Sequence, residues 1–148
     1  MRALLQRVSR ADITVEGVQT GSIGQGYVIL LGVGHDDDET AAEKLWTKTR
    51  RLRIFDDGDG KANLSLEDVG GDVLIVSQFT LYANCRRGNR PSFTDAGAPA
   101  AAEALYERFV ELARADMAHV ETGVFGADMQ VDLTNDGPFT IWLDTADL

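Results

Sequence analysis

Apolar and polar residues change period several times along the chain, and each change marks an element. From Ala3 to Val8 they alternate, as in a half-buried strand; Ser9 to Ala11 reads as a turn, and Ile13 to Glu16 as a second short strand ended by Gly17. After Gly21, Gly24 and Gly26 comes Tyr27–Val33 (YVILLGV), a continuous apolar run of the kind a strand buried on both faces requires. Between Asp36 and Phe55 the period lengthens. Ala42, Leu45, Trp46, Thr49 and Leu52 fall on one helical face, with Lys44, Lys48 and Arg51 on the other. Asp36 and Glu39 stand three apart at its start, like a capping box.

DDGDGKAN is rich in turn residues, and Val73–Phe79 (VLIVSQF) predicts another buried strand. The polar stretch Tyr82 to Ala98 reads as a long loop. Pro99 then suits the first turn of a second helix running to about Met117, with Ala101, Leu105, Phe109, Leu112 and Ala113 as its buried stripe. The tail returns to strand at His119–Thr122, Met129–Thr134 and Phe139–Leu143, with turns at Gly123–Ala127 and Asn135–Pro138. No repeat, linker or low-complexity segment interrupts the 148 residues, so one domain spanning 1–148 is expected. Helices set between strands indicate a mixed α/β domain.

Charge narrows the range of partners. With 24 acidic and 14 basic side chains the formal charge is −10, which favours solubility and argues against a basic groove tracking DNA or RNA phosphates. An RNA held at one end by a few local cations remains compatible. The single cysteine, Cys85, excludes an intrachain disulfide. The alternating start lacks the apolar run of a signal peptide, and nothing approaches the roughly 20 apolar residues of a membrane span. A cytoplasmic protein without membrane contact is expected.

Several catalytic signatures are missing: GxSxG, HExxH, paired CxxC and the phosphate-binding P-loop. His35 and His119 are the only histidines, each fits an ordinary polar role, and no ligand cluster suggests a metal. Four stretches remain. In SQFTLYA, Ser77, Gln78 and Thr80 place hydroxyl and amide groups at the end of an apolar strand. Period 2 would put Gln78 and Thr80 on one side, Ser77 and Phe79 on the other. These groups fit a substrate's polar atoms or merely the strand's own backbone. In NCRRGNRPSF, Arg86, Arg87 and Arg90 cluster within an acidic chain, as phosphate contacts or as a solvated loop. NDGPFT joins two strands through Gly137 and Pro138, a place where a cis peptide is permitted and carbonyls project. In GVFGADMQV, Phe125 and Met129 flank a small-residue turn and suit either a pocket wall or ordinary core.

Together these stretches resemble the bacterial D-aminoacyl-tRNA deacylase family along essentially the whole chain. The opening RALLQRVSRADITVEG and GSIGQGYVILLGV, the SQxT signature at Ser77–Thr80, GNRPSF, GVFGADMQV and the NxGPxT motif around Gly137 and Pro138 occur in the family's order and spacing. The departures are small: Phe139 stands where valine is also common, and Arg87 precedes Gly88 where lysine is expected.

The resemblance implies a three-layered fold, helices on a sheet packed against a second sheet, acting as a homodimer without cofactor or metal. It implies hydrolysis of the ester joining a D-amino acid, or glycine, to the 3′-terminal adenosine of tRNA. Gly137 and Pro138 of one subunit would enter the other's site as a Gly-cisPro turn that collides with an L side chain. The backbone N–H groups of Phe79 and Thr80 would face the oxyanion, with Gln78 positioning the substrate. Thr80 would act by position rather than as a covalent nucleophile, the substrate's 2′-hydroxyl assisting proton removal. Phe79, Phe125 and Met129 would hold the adenosine, and Arg86, Arg87 and Arg90 the acceptor-stem phosphates. Two other readings use the same residues. A non-catalytic module for RNA 3′ ends would not need Gln78 or the Gly-Pro turn. A small-molecule esterase using Thr80 would need a base.

Overall fold

The computed structural model describes residues 1–148. The alternation at the start of the chain continues much further than expected, into one strand, β1 (Arg2–Val15). The predicted turn at Ser9 to Ala11 is instead the place where β1 changes neighbour. Arg2–Val8 pairs with β3 (Gly26–Gly32), and Ala11–Val15 with β2 (Val18–Ile23). Ser9 and Arg10 point to solvent at the handover, which explains their polarity without a chain reversal.

Helix α1 (Glu39–Arg51) buries Ala42, Leu45, Trp46 and Thr49 as the spacing predicts. Its cap differs: Asp38 accepts from Ala41 N at 2.9 Å, and no Asp36–Glu39 box forms. Asp37 is engaged elsewhere, accepting from Gly34 N at 2.6 Å and from the Tyr82 hydroxyl at 3.1 Å. A capping box does occur, at Ser65 and Asp68 on the short α2 (Leu66–Val69). A two-stranded ribbon, β4 (Phe55–Asp56) and β5 (Ala62–Leu64), spans the turn-rich DDGDGKAN segment.

Strand β6 (Asp72–Ser77) pairs parallel with β3 and with β7 (Val120–Thr122). Helix α3 (Pro99–Asp116) begins at the expected proline and buries Phe109 and Ala113 as expected, with Leu105 and Leu112 packed partly against the core; Tyr106 and Val110 join the buried face, and Ala101 is exposed. Strand β8 (Met129–Asp144) runs along β1 on both sides of a bulge, joining two of the three expected tail strands into one.

The main strands form one mixed sheet in the order β2-β1-β3-β6-β7, with β8 on β1, and it curls almost into a barrel. β3 and β6 are buried on both faces, as their uninterrupted apolar sequences require. Tyr27, Ile29, Leu31, Val73 and Ile75 face the helices in the larger core. Val28, Leu74 and Val76 face Val8, Ala11, Ile13 and Ile23 in a smaller one. No helix is long and apolar enough to cross a membrane.

Candidate active site

A cavity of about 690 Å³ opens beyond the C-terminal ends of the parallel strands β3 and β6, where open α/β sheets commonly place ligands. Leu31, Val33, Val76 and Ser77 form its strand-end wall; the segment from Phe93 to Ala102 and the turn Phe125–Met129 close the sides. The first of these segments is tied back to the sheet. Gly97 N donates to Val33 O at 2.9 Å, and His35 Nε2 meets Thr94 O at 2.6 Å. Gly97 is required here, because a Cβ would lie 2.9 Å from Gly34 O.

The expected strand does not reach Phe79. It stops at Ser77, Gln78 N donates to Leu31 O at 2.7 Å, and Phe79–Tyr82 turns as a 3₁₀ helix. Strand alternation therefore does not arrange SQFT. Gln78 and Thr80 still adjoin, because the turn lets the Gln78 amide donate to the Thr80 hydroxyl. The first donor inside the turn is Leu81 N, to Gln78 O at 3.2 Å, so the preceding N–H groups of Phe79 and Thr80 are the uncommitted ones. The Phe79 ring is 58 % exposed and meets the Phe93 ring edge-on at 5.0 Å.

Of the expected residues, Ser77, Gln78, Phe79, Phe125 and Met129 line this one cavity. Thr80 stands at its edge through Gln78. Arg86, Arg87 and Arg90 lie outside it, on an exposed loop closed by the pairing of Asn84 with Ser92. The residues that sequence reading missed are Phe93, within the quoted GNRPSF, and Tyr106. Burial pushes the Tyr106 phenol up to about 12, so it stays neutral and donates to Ile75 O at 2.9 Å beneath the floor.

Gly137 and Pro138 are not in this cavity either. They sit where β8 leaves its register: Gln6 pairs with Thr140 and Val8 with Asn135, so residues 136–139 oppose Arg7 alone. The segment bulges outward, with Asp136, Gly137 and Pro138 exposed and the Gly137–Pro138 peptide cis. Gly137 has φ +150, and a Cβ there would fall 2.6 Å from Phe139 N, so no other residue fits without displacement.

Arg7, buried to 6 % exposure, holds this bulge from below. It continues the inward row of Ala3 and Leu5, where its charge is the one anomaly the alternation contains. Its Nε donates to Asp136 O at 2.8 Å and its Nη1 to Ile54 O at 2.6 Å. The guanidinium also lies 4.8 Å from the centroid of the Phe139 ring.

The family model for D-Tyr-tRNA(Tyr) deacylase matches residues 4–144. A D-aminoacyl-tRNA deacylase of Thermomicrobium roseum is 58 % identical over 148 residues, covering 100 % of this chain and 96 % of its own. The D-aminoacyl-tRNA deacylase of Paracoccus denitrificans is 58 % identical over 147 residues, 99 % of each chain. A solved structure, c-Myc DNA Unwinding Element Binding Protein, superposes with a TM-score of 0.92 at 41 % identity, covering 97 % of this chain and 98 % of that one. A family model matched over residues 4–144 and relatives 58 % identical over the length of the chain place it in the D-aminoacyl-tRNA deacylase family of hydrolases.

Proposed function

We propose that this protein hydrolyses the ester of D-aminoacyl-tRNA and of glycyl-tRNA, and rejects L-aminoacyl-tRNA, as a homodimer whose Gly137–Pro138 turn enters the partner's cavity. The observation that carries the reading is the position of the turn. It is exposed, fixed by a buried arginine, and outside the cavity of its own subunit. A rigid turn excludes an L side chain by collision, while a D side chain points away and glycine offers nothing to exclude.

The dimer is supported by an apolar row on the sheet face away from the helices. Leu30, Leu4 and Trp142 are direct cross-strand partners, and Trp142 is 47 % exposed. The three-layered reading is supported by the two apolar clusters on opposite faces of β3 and β6.

In the proposed reaction the adenosine occupies the apolar cavity beside Phe79, Phe125 and Met129. Water adds to the ester carbonyl, and the N–H groups of Phe79 and Thr80 receive the oxyanion. The bond to the ribose 3′ oxygen then breaks. The substrate's 2′-hydroxyl relays the proton from water to that leaving oxygen, so tRNA and free amino acid result. Gln78 positions the ester; Thr80 forms no covalent intermediate. Arg86, Arg87 and Arg90 contact acceptor-stem phosphates. Duplex DNA fits poorly, because three arginines on one loop are set against a net charge of −10.

The test has two arms. Release of labelled amino acid from D-Tyr-tRNA and L-Tyr-tRNA should be rapid for the first and absent for the second. Equal cleavage of both removes the chiral filter, and cleavage of neither leaves a binding module. Mixing inactive Q78A and G137A subunits should then restore activity at roughly one site in four, through heterodimers with one intact composite site. No restoration would place the whole site within one subunit.

A further inference from the structure

We propose that Asn135 is a positioning residue for substrate selection, acting as a splint that sets how the Gly137–Pro138 turn projects. The inference rests on the function proposed above and adds a residue and a mechanism to it.

Four residues of β8 face a single residue of β1 here, so Asp136–Phe139 lose the ladder bonds that would hold them. Asn135 supplies replacements from its side chain. Its Oδ1 accepts from Phe139 N at 2.6 Å, and its Nδ2 donates to Phe139 O at 3.2 Å. A side-chain primary amide presents donor and acceptor on one edge, as the N–H and C=O of a single strand residue do. Asn135 thus pairs with both backbone groups of Phe139 much as a neighbouring strand would, closing the neck of the bulge.

The splint is itself held. Nδ2 also donates to Gln6 Oε1, which accepts from Thr140 Oγ1 at 3.1 Å as well. Gln6 and Thr140 are the last register pair before the bulge, so the amide is anchored to regular sheet. On the opposite side Arg7 holds Asp136 O at 2.8 Å. Both ends of the bulge are fixed in this way, and Gly137 and Pro138 are left as the projecting part.

Chemistry separates the variants. Asn135→Leu keeps the size and removes donor and acceptor together. Asn135→Asp keeps acceptance from Phe139 N and loses donation to Phe139 O; Gln6 restores its own contact by turning its amide so that NH₂ faces the carboxylate. Gln6→Glu alone still accepts from Asn135 and Thr140. The double variant N135D/Q6E sets two carboxylates against each other and should lose more than the two single changes combined.

Two readouts decide the proposal. Amide-proton exchange at Phe139, followed by NMR, should quicken at least about tenfold in N135L while Ile141 in the regular strand is unchanged. The ratio of kcat/KM for D-Tyr-tRNA over L-Tyr-tRNA should fall at least about tenfold in N135L, by a smaller factor in N135D, and non-additively in N135D/Q6E. Unchanged exchange at Phe139 overturns the splint whatever the activity. Faster exchange with an unchanged ratio also overturns it, because the turn would then select without this support. If the wild-type protein itself fails to discriminate, the proposed function falls, and the splint is judged by exchange alone.

Discussion

Arg7 Nε donates to Asp136 O at 2.8 Å, so the sole buried cation of the first strand is bonded to the backbone at the root of the Gly-Pro bulge. The same guanidinium reaches Ile54 O at 2.6 Å, between α1 and β4, and no other side-chain type serves both carbonyls at this angle. Arg7→Lys keeps the charge but satisfies one carbonyl at most. It is expected to lower stability by about 1.5–3 kcal/mol, the value of a charged hydrogen bond, and to weaken discrimination between D and L esters. Urea denaturation measures the first and paired deacylation assays the second; a variant of native stability and selectivity would remove Arg7 from the account.

Gly137→Ala tests the bulge directly. The added Cβ would lie 2.6 Å from Phe139 N at a backbone φ of +150, so the turn must move. Because the bulge is exposed, the melting temperature should fall only slightly while D-ester hydrolysis falls by orders of magnitude. A large loss of stability with normal activity per folded molecule would mean that the glycine serves folding alone.

Much of this was legible in the sequence, and the failures share a cause. Buried strands such as Tyr27–Val33 and helix faces such as Leu45 and Trp46 are written in local periodicity. Ser9 and Arg10 misled because a strand changing partners exposes polar residues just as a turn does. The same holds for Asn135–Pro138, whose turn residues form a bulge inside β8 because β1 continues opposite both flanks. The polar groups of SQFT are legible at the end of an apolar strand, but apolarity cannot show where a strand yields to a 3₁₀ turn. Arg7 was the signal overlooked. A charged residue on an inward-facing position must find partners, and those lie at residues 54 and 136, far along the chain.

The aromatic side chains should govern affinity more than rate. Phe79 stands 58 % exposed at the cavity and is braced by Phe93 at 5.0 Å, an arrangement suited to contact with a base. Phe79→Ala is expected to raise KM for D-Tyr-tRNA by about 10- to 100-fold, corresponding to about 1–3 kcal/mol of base contact. Single-turnover rates at saturation should change far less. A fall in kcat at constant KM would place Phe79 in the chemistry instead.

His119 separates pH-dependent stability from pH-dependent activity. Bonds to Glu121 (3.0 Å) and to Asp72 (3.2 Å) raise its pKa above the ordinary 6.5. The stabilisation is therefore fully present below about pH 6.5, and it disappears as pH rises through the raised folded value. Wild type should melt above His119→Asn at pH 6, and the difference should vanish in alkaline buffer. His119 does not line the cavity, so the two proteins should deacylate D-Tyr-tRNA with the same pH profile. A profile altered by the substitution would reopen the case for a histidine base.

Thr80 decides between a hydroxyl that positions and one that attacks. Its oxygen accepts a hydrogen bond from the Gln78 amide, which draws on the lone pairs a nucleophile would use. No histidine, lysine or carboxylate is bonded to it, so nothing takes its proton. Thr80→Val should therefore reduce kcat by less than about tenfold, the scale of one neutral hydrogen bond. Thr80→Ser should be close to wild type. Loss of an essential nucleophile lowers kcat by about 10⁴ or more, a gap wide enough for a single comparison. Acid quench of the wild-type enzyme during turnover, followed by mass spectrometry, should show no aminoacyl ester on the protein. An inactive T80V beside an active T80S, with a trapped ester on Thr80, would replace the 2′-hydroxyl route with covalent catalysis.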